Sequence, residues 1–139
     1  MNIEERVKTA YDTHHQGYNC AQAVFTAYLD ILDISKEDAM KTAYGFGGGV
    51  GMTREICGTL TGGAMVLGQK YGKEAADVKQ KQFVNKQVAA LCQEFEDNHG
   101  SVICGELLGL RETEKTVKRK TCDELIEEVV RLLEKYVVE

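Results

Sequence analysis

The sequence predicts an all-α fold, a compact bundle of about seven helices in one domain over residues 1–139. Three observations carry this expectation. No proline occurs anywhere, and no stretch sustains the two-residue alternation of β-branched and polar side chains that marks a strand. Apolar residues recur instead at helical spacing. Capping residues, Asn19, Ser35 and Thr121 among them, stand at the starts of those stripes.

The first helix is read over residues 2–15, where Ile3, Val7, Ala10 and Tyr11 form one stripe with His14 in step, and it ends near Gly17. Asn19 caps a second helix carrying Ala21, Val24, Phe25, Tyr28, Leu29, Ile31 and Leu32. Ser35 caps a short third one that runs to about Tyr44. Glycines then crowd residues 45–51 and break the helix, opening backbone angles closed to other residues. A fourth helix is expected from near Cys57 to Tyr71, and a long fifth from Glu74 to Asp97 with Val84, Val88, Leu91, Cys92 and Phe95 inward. Gly72 and Gly100 are their stops. Ser101 caps a short sixth helix ending at Gly109. Thr121 with Glu124 forms a capping box for the last, which carries Leu125, Val129, Leu132, Leu133 and Tyr136.

Composition excludes several classes of function. No apolar run approaches the ~18 residues needed to cross a bilayer, so membrane insertion is not expected. Seventeen basic against 22 acidic residues leave a net charge of -5, opposite to the footprint that phosphate backbones select, so nucleic acid is not an expected partner. Lys115, Lys118, Arg119 and Lys120, with Glu112 and Glu114 beside them, read as a solvated loop. The start, MNIEERVKTA, has neither the basic nor the apolar region of a secretory signal, and the expected compartment is the cytoplasm. There, thiols stay reduced and serve catalysis, redox sensing or metal binding. An odd count of five cysteines also argues against a fully paired disulfide framework.

Cysteine placement is the informative feature. Cys20, Cys57, Cys104 and Cys122 each fall in the first turn of an expected helix, where free N–H groups and the macrodipole stabilise a thiolate or an anionic cluster. Cys92 lies instead in an apolar stripe and reads as core. The gaps contain no C-x-x-C and fit no ferredoxin run, so any cluster or disulfide must be assembled from separate helices. C-x-x-C-H, the attachment site of c-type haem, is absent too. His14, His15 and His99 are read as surface residues. Gly47, Gly48 and Gly49 are expected to shape a pocket around Cys57, since no nucleotide-binding glycine register fits them. Gly58, Gly62, Gly63 and Gly68 each cost a helix about 1 kcal/mol against alanine. Close helix approach across Gly58 and Gly62, or backbone access to a group bound near Cys57, would offset that.

The run Cys57-Gly58-Thr59-Leu60-Thr61-Gly62 resembles the C-G-A-x-x-G motif of a family of small redox-active proteins with four characteristic cysteines, the C_GCAxxG_C_C type, with Thr59 in place of the alanine. Asn19-Cys20-Ala21-Gln22-Ala23, the glycine loop, Gly100-Ser101 leading to Cys104, and Leu107-Leu108-Gly109 are similar in order and distance. The resemblance covers nearly the whole chain and carries the four cysteines onto Cys20, Cys57, Cys104 and Cys122, leaving Cys92 as an extra. It implies kinship with a cysteine-bearing domain of split-Soret cytochromes, and through it an iron-sulfur centre.

Three functions follow as expectations. In the first, Cys57, Cys104 and Cys122, with Cys20 as fourth ligand, hold an iron-sulfur centre for electron transfer; four thiolates also suit a structural zinc. In the second, a low-pKa thiolate attacks a disulfide and another cysteine resolves it, with Cys57 as the attacking residue and Cys122 helped by the lysines at 118–120. In the third the chain is a helical binding module whose cysteines only pack. The first two call for a redox partner protein. The glycine face can pack within one chain or between two, as a homodimer.

Overall fold

A computed structural model describes residues 1–137. Seven α-helices form: α1 (Ile3–His15), α2 (Cys20–Thr26), α3 (Lys36–Thr42), α4 (Gly58–Tyr71), α5 (Val78–His99), α6 (Cys104–Leu107) and α7 (Cys122–Val137). Two 3-10 turns, Leu29–Ile31 and Tyr44–Phe46, flank α3. No strand forms among the described residues, although Ile56 and Ile103 make one antiparallel bridge. The all-α expectation therefore holds. No helix is long and apolar enough to cross a membrane among the described residues.

Helix α2 is the centre of the fold. Its residues from Ala21 to Thr26 are all buried, and α1, α3, α4 and α7 pack around it. Asn19 starts it with a capping box shared with Gln22, and Asn2 does the same for α1 with Glu5. The most extensive helix pair is α2 with α4, and glycine permits it. A Cβ at Gly62 would lie 2.7 Å from the Ala21 carbonyl oxygen. The glycine cost in α4 is thus offset by close backbone approach. Helix α7 is strongly amphipathic and turns Leu125, Ile126, Val129, Val130 and Leu133 into the same core, alongside Phe25, Leu60, Leu67, Leu91 and Phe95.

Several expected boundaries move, some for tertiary and some for local reasons. The second helix stops at Thr26 instead of running to Leu32. Buried Arg6 of α1 donates to the Ala27 carbonyl at 3.1 Å, the acceptor an α-helical Ile31 N–H would use, and Ile31 bonds Tyr28 in a 3-10 turn instead. Arg6 also pairs with Asp30 and lies 4.5 Å over the Tyr28 ring. Helix α5 starts at Val78, because Asp77 accepts from the Gln80 N–H and caps it there. Ser101 accepts from the Ile103 N–H but does not cap α6, which opens at Cys104.

Two side chains sit deeper or shallower than expected. His99, read as a surface residue, is buried and pairs with Glu128. Its position at the end of an amphipathic helix places it on the same face as Phe95, one turn earlier. Cys92, read as core, is half-buried at the edge of the core.

Candidate functional site

Four of the five cysteines line one cavity of about 190 Å³, and each occupies a helix start. Cys20, Cys104 and Cys122 are the first residues of α2, α6 and α7, and Cys57 is the N-cap of α4. Cys92 lies outside the cavity. His14, Asn19, Met52, Arg54, Leu108 and Leu125 complete the wall together with Gly48, Gly49 and Gly58.

Backbone pairing brings Cys57 and Cys104 together. Around the Ile56–Ile103 bridge, the Cys57 N–H donates to Val102 at 2.8 Å and the Cys104 N–H to Glu55 at 2.6 Å. These bonds draw two segments that are distant in sequence into a ladder, and the cysteines follow. Cys20 is delivered by the α2–α4 contact: a Cβ at Gly58 would meet the Cys20 Cβ at 3.4 Å. Packing of α1 on α7, tied by His14 and Asp123, delivers Cys122.

The glycine loop forms the lid of this cavity in an uncommon conformation. Gly48, Gly49, Val50, Gly51 and Met52 are consecutive residues with φ between 57° and 70°, and Arg54 has φ 65°. Left-handed backbone costs a non-glycine residue roughly 1–2 kcal/mol, so Val50, Met52 and Arg54 are strained. Hydrogen bonds hold them: Arg54 N–H to Gly48 at 2.9 Å and Glu55 N–H to Gly49 at 3.0 Å. At Gly49 a Cβ would stand 2.7 Å from the Cys104 Cβ, so only glycine lets the loop cross there. The strained loop places the Arg54 guanidinium 3.7 Å from the Cys104 sulfur. Of the other glycines singled out, Gly47 abuts Asn19 and Gly62 abuts Ala21, both outside the cavity wall.

The four thiols have unequal environments. Cys20 donates a hydrogen bond to the Cys122 sulfur, which pulls Cys122 down to about 6 against its partial burial, with His14 and Arg54 adding to the effect. That bond, with burial behind it, raises Cys20 far above the ordinary thiol range. The pair gives up its first proton at Cys122. Burial pushes Cys57 up to about 11, with Thr59 at 3.0 Å from its sulfur working in the other direction. Cys122 is therefore drawn below the ordinary thiol range while Cys57 is pushed above it.

Zinc-sulfur bonds of about 2.3 Å set tetrahedral sulfur pairs ~3.8 Å apart. No three of these sulfurs lie within 4.8 Å of one another, so they surround a space instead of converging on a point. Glycine walls at residues 48, 49 and 58 keep that space open. Sequence reasoning missed Arg54 and His14 as parts of the site. A left-handed arginine has no sequence signature, and His14 reaches the cavity only because α1 docks on α7.

Comparison with known proteins identifies relatives of the whole chain. An uncharacterized protein of Archaeoglobus fulgidus is 26% identical over 137 residues, covering 93% of this chain and 91% of its own length. No solved structure matches. The family described as "Putative redox-active protein (C_GCAxxG_C_C)" matches residues 18–136, a span that holds all four cavity cysteines and the glycine loop, and the chain belongs to that family.

Proposed function

We propose that this protein transfers electrons through an iron-sulfur cluster held by Cys20, Cys57, Cys104 and Cys122. The observation that carries the reading is the set of four thiols around one cavity, each at a helix start. Four cysteines are the ligand set of two-iron and four-iron clusters. Such a cluster would supply one-electron chemistry at a potential tuned by its surroundings. This chain's own residues do the rest. Arg54, at 3.7 Å from Cys104, offsets part of the negative charge of four thiolates. Leu108, Leu125 and Met52 limit water at the sulfurs.

The test is an absorption spectrum with iron, zinc and acid-labile sulfide analysis on protein purified without oxygen. Visible charge-transfer bands with iron and sulfide are expected, lost in Cys57→Ser and Cys104→Ser and retained in Cys92→Ser. A colourless wild-type protein free of iron and sulfide would overturn the reading.

The Cys20–Cys122 contact favours a second reading, thiol-disulfide exchange. The Cys122 thiolate would attack a disulfide, releasing one partner sulfur as a thiolate, and Cys20 would displace the other to leave a Cys20–Cys122 disulfide. Mild oxidation of metal-free protein should then consume two thiols, and peptide mapping should find Cys20 joined to Cys122. Loss of any other pair excludes it.

A further inference from the structure

Beside the sulfur cavity stands a donor cluster of different chemistry. His14 and His15 are the last two residues of α1, and Asp123 is the second residue of α7. The His14 Nδ1 lies 2.7 Å from one Asp123 carboxylate oxygen, and the His15 Nε2 lies 2.7 Å from the other. Adjacent helical residues point about 100° apart, yet both rings reach one carboxylate. They do so because His14 uses its near nitrogen and His15 its far one. The three donors all lie within 4.8 Å of one another, and no other such group of three exists among the described residues.

The surroundings hold this cluster in place. Tyr11 stacks on the His15 ring with centroids 4.0 Å apart, and the Thr121–Glu124 capping box fixes the start of α7. His14 is half-buried against the sulfur cavity, whereas His15 is exposed, so one side of the cluster faces water.

We infer that His14, His15 and Asp123 form a binding site for a divalent first-row transition ion, separate from the four-cysteine centre. Metal bonds to imidazole nitrogen and carboxylate oxygen are about 2.0–2.2 Å, which sets donors roughly 3.3 Å apart in a tetrahedral shell. The present separations need only small side-chain movements to meet that geometry. Three protein ligands leave a fourth position for water, as in open zinc sites. Two imidazoles and a carboxylate also select differently from thiolates: they suit zinc, iron, cobalt or nickel as divalent ions. Because Asp123 follows Cys122 and His14 lines the cavity, the ion would place positive charge next to the sulfur centre. The inference does not depend on the iron-sulfur reading, since no cysteine is a donor.

Cobalt(II) alone is the probe, applied by equilibrium dialysis to anaerobically purified full-length protein, with the spectrum recorded at each concentration. Thiolate-bound cobalt shows intense near-ultraviolet charge transfer, which nitrogen and oxygen donors do not produce. Wild-type protein should retain one equivalent beyond any thiolate-bound cobalt. His15→Ala, whose side chain lies outside the cavity wall, should weaken that equivalent by at least about tenfold, since even outer-shell partners cost that much, and leave iron and sulfide content unchanged. Asp123→Asn should weaken the same equivalent. Retention of no extra cobalt by the wild type, or equal retention by both variants, would overturn the site, and iron and sulfide content reports separately on the cysteine centre.

Discussion

Replacing Gly62 with alanine should loosen the α2–α4 contact and the cysteine ring with it. The added Cβ would stand 2.7 Å from the Ala21 carbonyl oxygen, 3.1 Å from the Ala21 Cα and 3.2 Å from the Val24 Cβ. Two of these three atoms are backbone and cannot rotate away. Overpacking of this kind costs about 1–3 kcal/mol, and backbone contact puts this case in the upper half of the range. Alanine's helix propensity returns about 1 kcal/mol, leaving a net loss of roughly 1–2 kcal/mol. Gly68 in the same helix is the control, because a Cβ there meets nothing within 4 Å. Gly68→Ala should therefore stabilise by up to about 1 kcal/mol. At roughly 3–5 °C per kcal/mol for a chain of this size, the two variants should differ in Tm by about 3–15 °C, Gly62→Ala being the lower. Thermal unfolding of both against wild type is the assay. Ala21 adjoins Cys20, so on the iron-sulfur reading iron content should fall in Gly62→Ala alone. Gly62→Ala at or above the wild-type Tm would refute the claim that close backbone approach is what requires glycine there.

Two further outcomes depend on pH. Burial acts to raise the Asp30 carboxyl, but its bonds to Arg6 and to the chain's amino group outweigh this and hold it low. A depressed folded pKa contributes stability that is present above the unfolded value of about 3.9 and lost as pH falls through the folded one. Asp30→Asn, which leaves buried Arg6 without its carboxylate, should cost about 1–3 kcal/mol at pH 7 by urea unfolding, discounted from a fully buried pair because Asp30 is part-exposed. The gap between variant and wild type should narrow below about pH 4; a constant gap down to pH 2 would show that the ion pair is not its source. In metal-free protein, iodoacetamide should alkylate Cys122 with a rate that rises through about pH 6, the thiolate being favoured by the Cys20 hydrogen bond. Cys20→Ala should move that midpoint upward; a midpoint already at the ordinary thiol value in the wild type would remove the pair from the account.

Much of the fold was legible in the sequence because its signals are local. Asn19, Ser35 and Thr121 cap the helices they precede, and the stripe of α7 points inward along its length. Both glycine stops, Gly72 and Gly100, end their helices. Cysteines at helix starts were legible for the same reason: a cap and the residue after it are neighbours in sequence. Two misread boundaries lie where a distant group intervenes, Arg6 at the Ala27 carbonyl and Glu55 at the Cys104 N–H, whereas the start of α5 was set by a local cap, Asp77.

The sequence by itself determined the helical class, the order of the elements and the identity of four thiols held apart from Cys92. Tertiary structure alone decided that those thiols share one cavity and that His14, His15 and Asp123 meet. Helix periodicity and capping are set by residues within a turn or two of each other. Ionisation and convergence depend instead on which charges, dipoles and apolar walls the fold brings from far along the chain.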